Sequence, residues 1–526
     1  MNRLITSVIC GLVTITTVTQ ANAARPKLVV GIVVDQLRTD YIEHLKDVFG
    51  EGGFRRLADG SLMLEDVDFN VDGLDVASAT AMIYTGAYPS LTGVPSAKVY
   101  DPATRTSRLA LTDQGVMGNF TTDTYSPAPL RLSTISDELM IDGIGLGQVY
   151  SIAPDPSQSL IMAGHAGTSA FWLDDNSGKW ATTTYYKEVP RLMTRLNYDN
   201  PLQARIDTMT WRPSRPLTDY NGLPAQKRKV PFSHSFPRND REVYRMYASS
   251  PLVNAEITDI AIDYLRHLQL GRRGDVMDML NVGYTAAPWS HTSDGDSRIE
   301  LEDAYIRLDA QLARLFDSIE RYVGLDNTVV FLSSTGYFDD RGKTDAKYRI
   351  PGGEVSLKRA ISLLNAYFSA RHGNDTYVDG YADGHIYLNH KTLEARNIPL
   401  AEASAEARDF LSRMSGIAAV YSLSDILGEG SDTLSRLRRS TDASLAGDIR
   451  LVFTPGWTVV DDTRYPVTKT PARLCDVRTP AFIMASDITP RKVGEPVKAT
   501  VIAPTVASAL RIRAPNGAAD APLSTK

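Results

Sequence analysis

Lys27-Leu28-Val29-Val30-Gly31-Ile32-Val33-Val34-Asp35 is an apolar run closed by a carboxylate. A strand apolar on both faces belongs in the interior of a parallel sheet, covered above and below by helices. Open α/β sheets place their ligand sites beyond the carboxyl ends of such strands. Asp35 is therefore the first candidate metal-binding side chain.

Outward from this strand, strand-like runs alternate with helical spacing, which predicts an α/β fold. Tyr41 to Leu57 has helical spacing, and a second helix is expected from near Asp75 to Thr85-Gly86. In Leu301 to Tyr322, Tyr305, Leu308, Leu312, Leu315, Phe316 and Ile319 recur at intervals of three and four. That helix stops before Gly324, and Thr328-Val329-Val330-Phe331-Leu332 follows as a buried strand. Residues 375–460 differ in texture, with strands expected at Tyr387-Leu388 and Ile449–Phe453 and a helix over Leu400–Met414. The expected organisation is a main body of 24–374 and 461–515, an α+β insertion or cap over 375–460, and a flexible tail of 516–526. Residues 195–250, rich in Pro, Arg and aromatics, read as a long ordered loop region over one end of the sheet.

Composition narrows the function. A net charge of −6 with no dominant Lys/Arg block argues against nucleic-acid binding; Lys227–Lys229 and Arg436–Arg439 read as solvated surface. Arg3, the apolar run Leu4–Val18 and Ala21-Asn22-Ala23 form a signal-peptide pattern over 1–23, predicting periplasmic or secreted localisation. No segment is long enough to span a bilayer. Ile9 stands before Cys10 where a lipid-modification signal carries a small residue, so soluble export is expected. With Cys10 removed, Cys475 is a lone thiol and no internal disulfide can form.

Several motifs resemble the secreted alkaline phosphatases related to nucleotide pyrophosphatase/phosphodiesterases. They include Arg25-Pro26-Lys27 through Asp35-Gln36, Gly50-Glu51-Gly52-Gly53-Phe54, Ile83-Tyr84-Thr85-Gly86, and Ala163-Gly164-His165. Glu302-Asp303-Ala304-Tyr305-Ile306-Arg307-Leu308-Asp309, Gly447-Asp448, Pro455-Gly456-Trp457 and Ile502-Ala503-Pro504-Thr505 continue the series in order. The resemblance implies an alkaline-phosphatase-like sandwich, its mostly parallel central sheet flanked by helices, with a smaller α+β cap. It also implies a threonine nucleophile at a helix N-terminus, two zinc ions held by Asp and His, and an Asn, Lys and Arg clamp on the phosphate.

Most of those parts are replaced. Val76 stands at the nucleophile position and Thr80 at the histidine four residues on. The phosphate-clamp positions carry Ala97, Asp155 and Ser157. Among the metal-ligand positions, Ala287 replaces an aspartate, Thr335 and Gly336 fall in the degraded Asp-His-Gly segment, and Arg478 replaces the last histidine. Asp35 and His291 are the surviving metal candidates. All eight histidines lie at or before His390 and no Asp-His dipeptide occurs, so these losses do not depend on alignment register.

The expected function is thus an exported pseudoenzyme that binds an unknown protein or small ligand and needs no cofactor. One rival is an active phosphomonoesterase or phosphodiesterase with a rebuilt, zinc-dependent site drawn from Asp35, Asp75, Ser78, His291 and Asp339. It requires these side chains to converge. The other is a structural cell-surface component, which an extended apolar patch would favour. Bland roles are available throughout: Asp35 as a cap, Ser78 and Thr80 packing a first helical turn, His165 as structural, and Asp339-Asp340 as a solvated loop. Asp294 and Asp296 around Gly295 are only a fragment of a calcium loop.

Overall fold

The computed structural model of the protein describes residues 25–220, 223, 231–291, 297–339, 352–462, 467–473 and 475–525. The signal segment with Cys10, Lys227–Lys229, the Asp294/Asp296 pair and Asp340 lie outside the described residues.

Ten strands form the central sheet: β1 (Leu28–Asp35), β2 (Leu62–Leu64), β3 (Gly118–Asn119), β4 (Val149–Ala153), β5 (Ser169–Leu173), β6 (Trp180–Thr183), β7 (Asp278–Thr285), β8 (Thr328–Ser334), β9 (Ala481–Met484) and β10 (Arg491–Val493). Their order is β10-β2-β9-β8-β1-β7-β4-β5-β6-β3. The run β8-β1-β7-β4-β5 is parallel, and β9 and β6 flank it antiparallel. β1 is central, Leu28 facing Asp278 on one side and Thr328 on the other.

Alternation along β1 divides the core in two. Leu28, Val30, Ile32 and Val34 join the apolar cluster under helices α3 (Pro251–His267) and α4 (Arg298–Tyr322). Val29 and Val33 join the cluster under α1 (Val76–Thr85), α2 (Pro156–Ala163) and α5 (Ile502–Leu510). With all these side chains buried, a β1 apolar on both faces is what a sheet covered twice requires. Gly31 is the exception to the side-chain run. A Cβ there would lie 2.3 Å from the Tyr84 hydroxyl, which donates to Asn281 Oδ1 at 2.7 Å.

A third cluster, including Leu364, Phe368, Tyr377, Ile386, Ala407 and Leu411, is the core of a smaller α+β unit. Its antiparallel sheet joins Val378–Ala382, His385–Leu388, Ile449–Phe453 and Ile417–Ser422 in that spatial order. The unit extends beyond the expected 375–460. Helix Leu357–His372 contributes to its core, and Glu354–Ser356 pairs with Thr458–Asp461, itself paired with Thr468–Pro471.

Three local expectations are revised. Tyr41–Leu57 is not one helix: helices Thr39–Leu45 and Phe54–Gly60 are separated at the glycines, where Asp309 accepts from the Gly50 and Phe54 amides at 2.8 Å each. Residues 195–250 are no mere loop region. They contain helices and a Thr210–Trp211/His234–Ser235 pairing, and they bury Trp211, Phe232, Phe236 and Tyr247 on the α4 side of the sheet. The segment after Pro515 is docked rather than frayed. The Asn516 amide donates to Ser133 Oγ, the Leu523 amide to Thr505 Oγ1, and Lys498 and Thr500 donate to Asp520.

Candidate functional site

The N-terminus of α1 faces a cleft of about 580 Å³ between the main body and the α+β unit, and Asp35 at the carboxyl end of β1 lies within electrostatic reach of its Asp155. Asp75, Val76, Ala97 and Asp155 line one wall. Tyr381, Asp383, Arg450 and Phe453 line the other, with Arg473 between them.

Asp75 starts α1. Its Oδ1 accepts from the Ser78 amide at 2.9 Å, while Ser78 Oγ accepts from the Asp75 amide at 3.0 Å, a reciprocal cap. Asp75 Oδ2 takes the Ala97 amide at 2.5 Å. Both oxygens and the Ser78 hydroxyl are therefore committed to holding the helix end. Thr80 is fully buried and donates back to Val76 O at 2.6 Å. Val76, on the cleft wall, presents no hydroxyl.

Asp155 caps α2 by accepting the Gln158 amide at 3.0 Å, and Ser157 is buried behind it. Burial, with lesser contributions from the Asp35, Asp175 and Asp75 carboxylates, pushes the Asp155 carboxyl up to about 7. A phosphate clamp would carry a cation at this position; here it carries a carboxyl whose ionised form is disfavoured.

Asp35 is enclosed by hydrogen-bond donors. Its Oδ1 accepts from Thr335 Oγ1 at 2.9 Å and from the Tyr337 hydroxyl at 2.8 Å, and its Oδ2 from Gln36 Nε2 at 3.4 Å. Burial raises its pKa and the two hydroxyls partly offset that. Gln36 Nε2 also lies 3.4 Å from Asp339 Oδ2, and Gln36 Oε1 accepts the Asp339 amide at 2.8 Å. The segment in place of Asp-His-Gly thus supplies two protons to Asp35. Gly336 has φ +73°, and a Cβ there would lie 2.1 Å from the Phe69 ring.

The remaining candidates lie apart from this network. The His291 ring is 4.9 Å from that of Trp289 and contributes none of the three bonds to Asp35 just described. Ala287 is half-buried at the start of the same loop. Arg478 turns away, toward Glu65 at 3.4 Å and Glu43 at 3.9 Å, so it does not fill the cleft; Tyr337 is the side chain that packs in beside Asp35. Of the rebuilt-site candidates, Asp35 and Asp339 share the Gln36 amide, and Asp75 and Ser78 form a cap. They are two separate pairs. Among the described residues, no three His, Cys, Asp or Glu side chains are grouped to hold a metal ion. Zinc does not fit this donor set, because Asp35 is engaged by hydroxyl and amide donors and, among the described residues, no group of three ligating side chains stands with it.

His165 has a structural role, its Nδ1 on Asp137 at 3.0 Å and its Nε2 on Leu130 O at 2.8 Å. Cys475 is half-buried, and burial raises its thiol pKa, which leaves it unreactive. Sequence reasoning missed Asp383, Arg450 and Arg473. None has a motif of its own, and only the chain fold brings them to the cleft. Among the described residues, no helix is long and apolar enough to cross a membrane.

Comparison with known proteins agrees with this architecture. The alkaline phosphatase PafA of Elizabethkingia meningoseptica is 28% identical over 522 residues, covering 95% of this chain and 94% of the relative. The alkaline phosphatase PhoV of Synechococcus elongatus is 25% identical over 523 residues, covering 94% and 92%. The crystal structure of wild-type PafA superposes with a TM-score of 0.80 at 27% identity, covering 95% of this chain and 98% of that one. A second PafA crystal structure, also at 0.80, carries substitutions at one threonine, one asparagine, one lysine and one arginine. The profile of the type I phosphodiesterase / nucleotide pyrophosphatase family matches residues 29–476, and the chain belongs to that family.

Proposed function

We propose that this chain is an exported alkaline-phosphatase-like protein that performs no phosphoryl transfer and acts by binding a ligand or partner in the cleft. The observation that carries the reading is the wall itself, with Val76 at the head of α1 and Asp155 beside it in place of a cation. In PafA's substituted crystal form, the altered threonine and asparagine are separated by as many residues as Val76 and Ala97. The altered lysine and arginine are separated by as many as Asp155 and Ser157. This supports carrying the phosphatase positions onto this chain residue by residue. The engagement of Asp35 by two hydroxyls supports loss of the metals as well. Export rests on the N-terminal pattern alone.

Val76, Ala97 and Asp155 leave the nucleophile and clamp positions without a hydroxyl or a cation, so tight phosphate binding is not expected. Millimolar inorganic phosphate or vanadate is expected to shift Tm by less than about 1 °C. Val76→Thr is expected to hydrolyse no phosphate ester, because a hydroxyl with neither base nor metal beside it is not activated. A saturable rise in Tm with phosphate, or turnover by Val76→Thr, would contradict the proposal.

A further inference from the structure

The loss of metal ligands leaves an electrostatic question. Asp75 and Asp383 line the cleft, Asp35 and Asp339 lie half-buried within electrostatic reach of it, and carboxylates withdrawn from water need a compensating charge. Arg473 stands among them. Its guanidinium carbon lies 4.8 Å over the Tyr337 ring, its Nε is 3.5 Å from Asp339 Oδ1, and its Nη1 donates to Leu74 O at 2.8 Å. Leu74 immediately precedes the Asp75 cap, while Tyr337 and Asp339 follow β8. One guanidinium thus ties the loop after β8 to the N-terminus of α1. Burial works against its charge, but Tyr337, Asp339, Asp75 and Asp383 together more than offset that.

We infer that Arg473 is a built-in cation that, with Arg450 beside Asp383, offsets the negative charge of these carboxylates, so that the folded protein needs no divalent metal at this site. The inference rests on the non-catalytic reading of the cleft and extends it: the positive charge is supplied by the chain itself. A guanidinium suits the place because it is planar, stays charged when buried and can both stack on an aromatic ring and donate to oxygen.

The test is thermal unfolding of the mature wild type, Arg473→Ala and Arg473→Lys, each with zinc, with chelator and with methylguanidinium. Wild-type Tm is expected to be the same with zinc and with chelator. Arg473→Ala is expected to unfold about 5 °C lower, because the carboxylates lose their counter-charge. Millimolar methylguanidinium or zinc should recover part of that loss, which a merely structural role would not allow. Arg473→Lys, keeping the charge without the fork, should fall between the two. A zinc-dependent rise in wild-type Tm would overturn the inference, as would an Arg473→Ala protein as stable as wild type. If Arg473→Ala does not fold, the wild-type zinc arm and Arg473→Lys still decide: a charge-retaining Lys variant that fails to fold as well overturns it. A zinc-raised Tm without phosphoesterase turnover would sink this inference and leave the non-catalytic reading standing.

Discussion

Asp303→Ala is expected to cost about 4 kcal/mol of stability, seen as a lower urea midpoint together with a red-shifted tryptophan emission. Asp303 lies on α4 and is fully buried. Its carboxylate accepts from Trp211 Nε1, Ser214 Oγ, the Tyr220 hydroxyl and Arg307 Nε at 2.6 Å each, and from the Ser214 amide at 2.8 Å. Burial alone would raise its pKa; Arg307 and these hydrogen bonds outweigh burial and hold the carboxyl below its ordinary value. Alanine leaves several buried donors and one cation without their acceptor, each orphan costing about 1–3 kcal/mol before relaxation. The segment around Trp211 should loosen first, since Asp303 is its polar anchor to α4. A urea midpoint within experimental error of wild type would refute this assignment.

Asp155→Asn should have the opposite sign. An unfolded aspartate titrates near 3.8, whereas the folded carboxyl is pushed up to about 7. Between those values the folded state binds the extra proton, so stability falls as pH rises across the window. Well below pH 3.8 both states are protonated and the penalty vanishes; above pH 7 it is nearly complete, at most about 4 kcal/mol. Asparagine removes the charge while its amide oxygen still accepts the Gln158 amide and caps α2. The variant is therefore expected to be more stable than wild type at pH 8 and nearly equal to it at pH 4. Denaturant melts at the two pH values check this, and a pH-independent difference would contradict it.

What the sequence makes legible follows from how local each signal is. β1 and β8 are apolar runs of strand length, and α4 carries its 3.6-residue period through four turns and beyond. α1 announces both ends, with Asp75 and Ser78 at the start and Gly86 in the left-handed region at the stop. The break between the two helices at 39–60 is set by Asp309, a partner more than 250 residues away, which no window of sequence contains. Likewise Trp211 is a core residue because it meets α4, and the tail is held by backbone amides and small hydroxyls that composition cannot reveal.

The site divides in the same way. Missing groups can be read directly: a valine has no hydroxyl wherever the fold places it. What replaces them cannot. Thr335 reads as a lost ligand, yet its hydroxyl and that of Tyr337 two residues on are what occupy Asp35. Arg478 was the arginine the sequence singled out, and it pairs outward with Glu65, while Arg473 stands at the cleft. The two arginines are only five positions apart, and nothing periodic in the sequence tells the outward one from the one at the cleft.

The central claim is that this member of a phosphatase family has lost phosphoryl transfer. The most direct measurement is release of p-nitrophenol from p-nitrophenyl phosphate and bis-p-nitrophenyl phosphate by the purified mature protein supplied with zinc, beside Asp35→Ala. The account predicts that both proteins stay at the rate of buffer with zinc alone. Zinc-dependent turnover by the wild type that Asp35→Ala abolishes would contradict it.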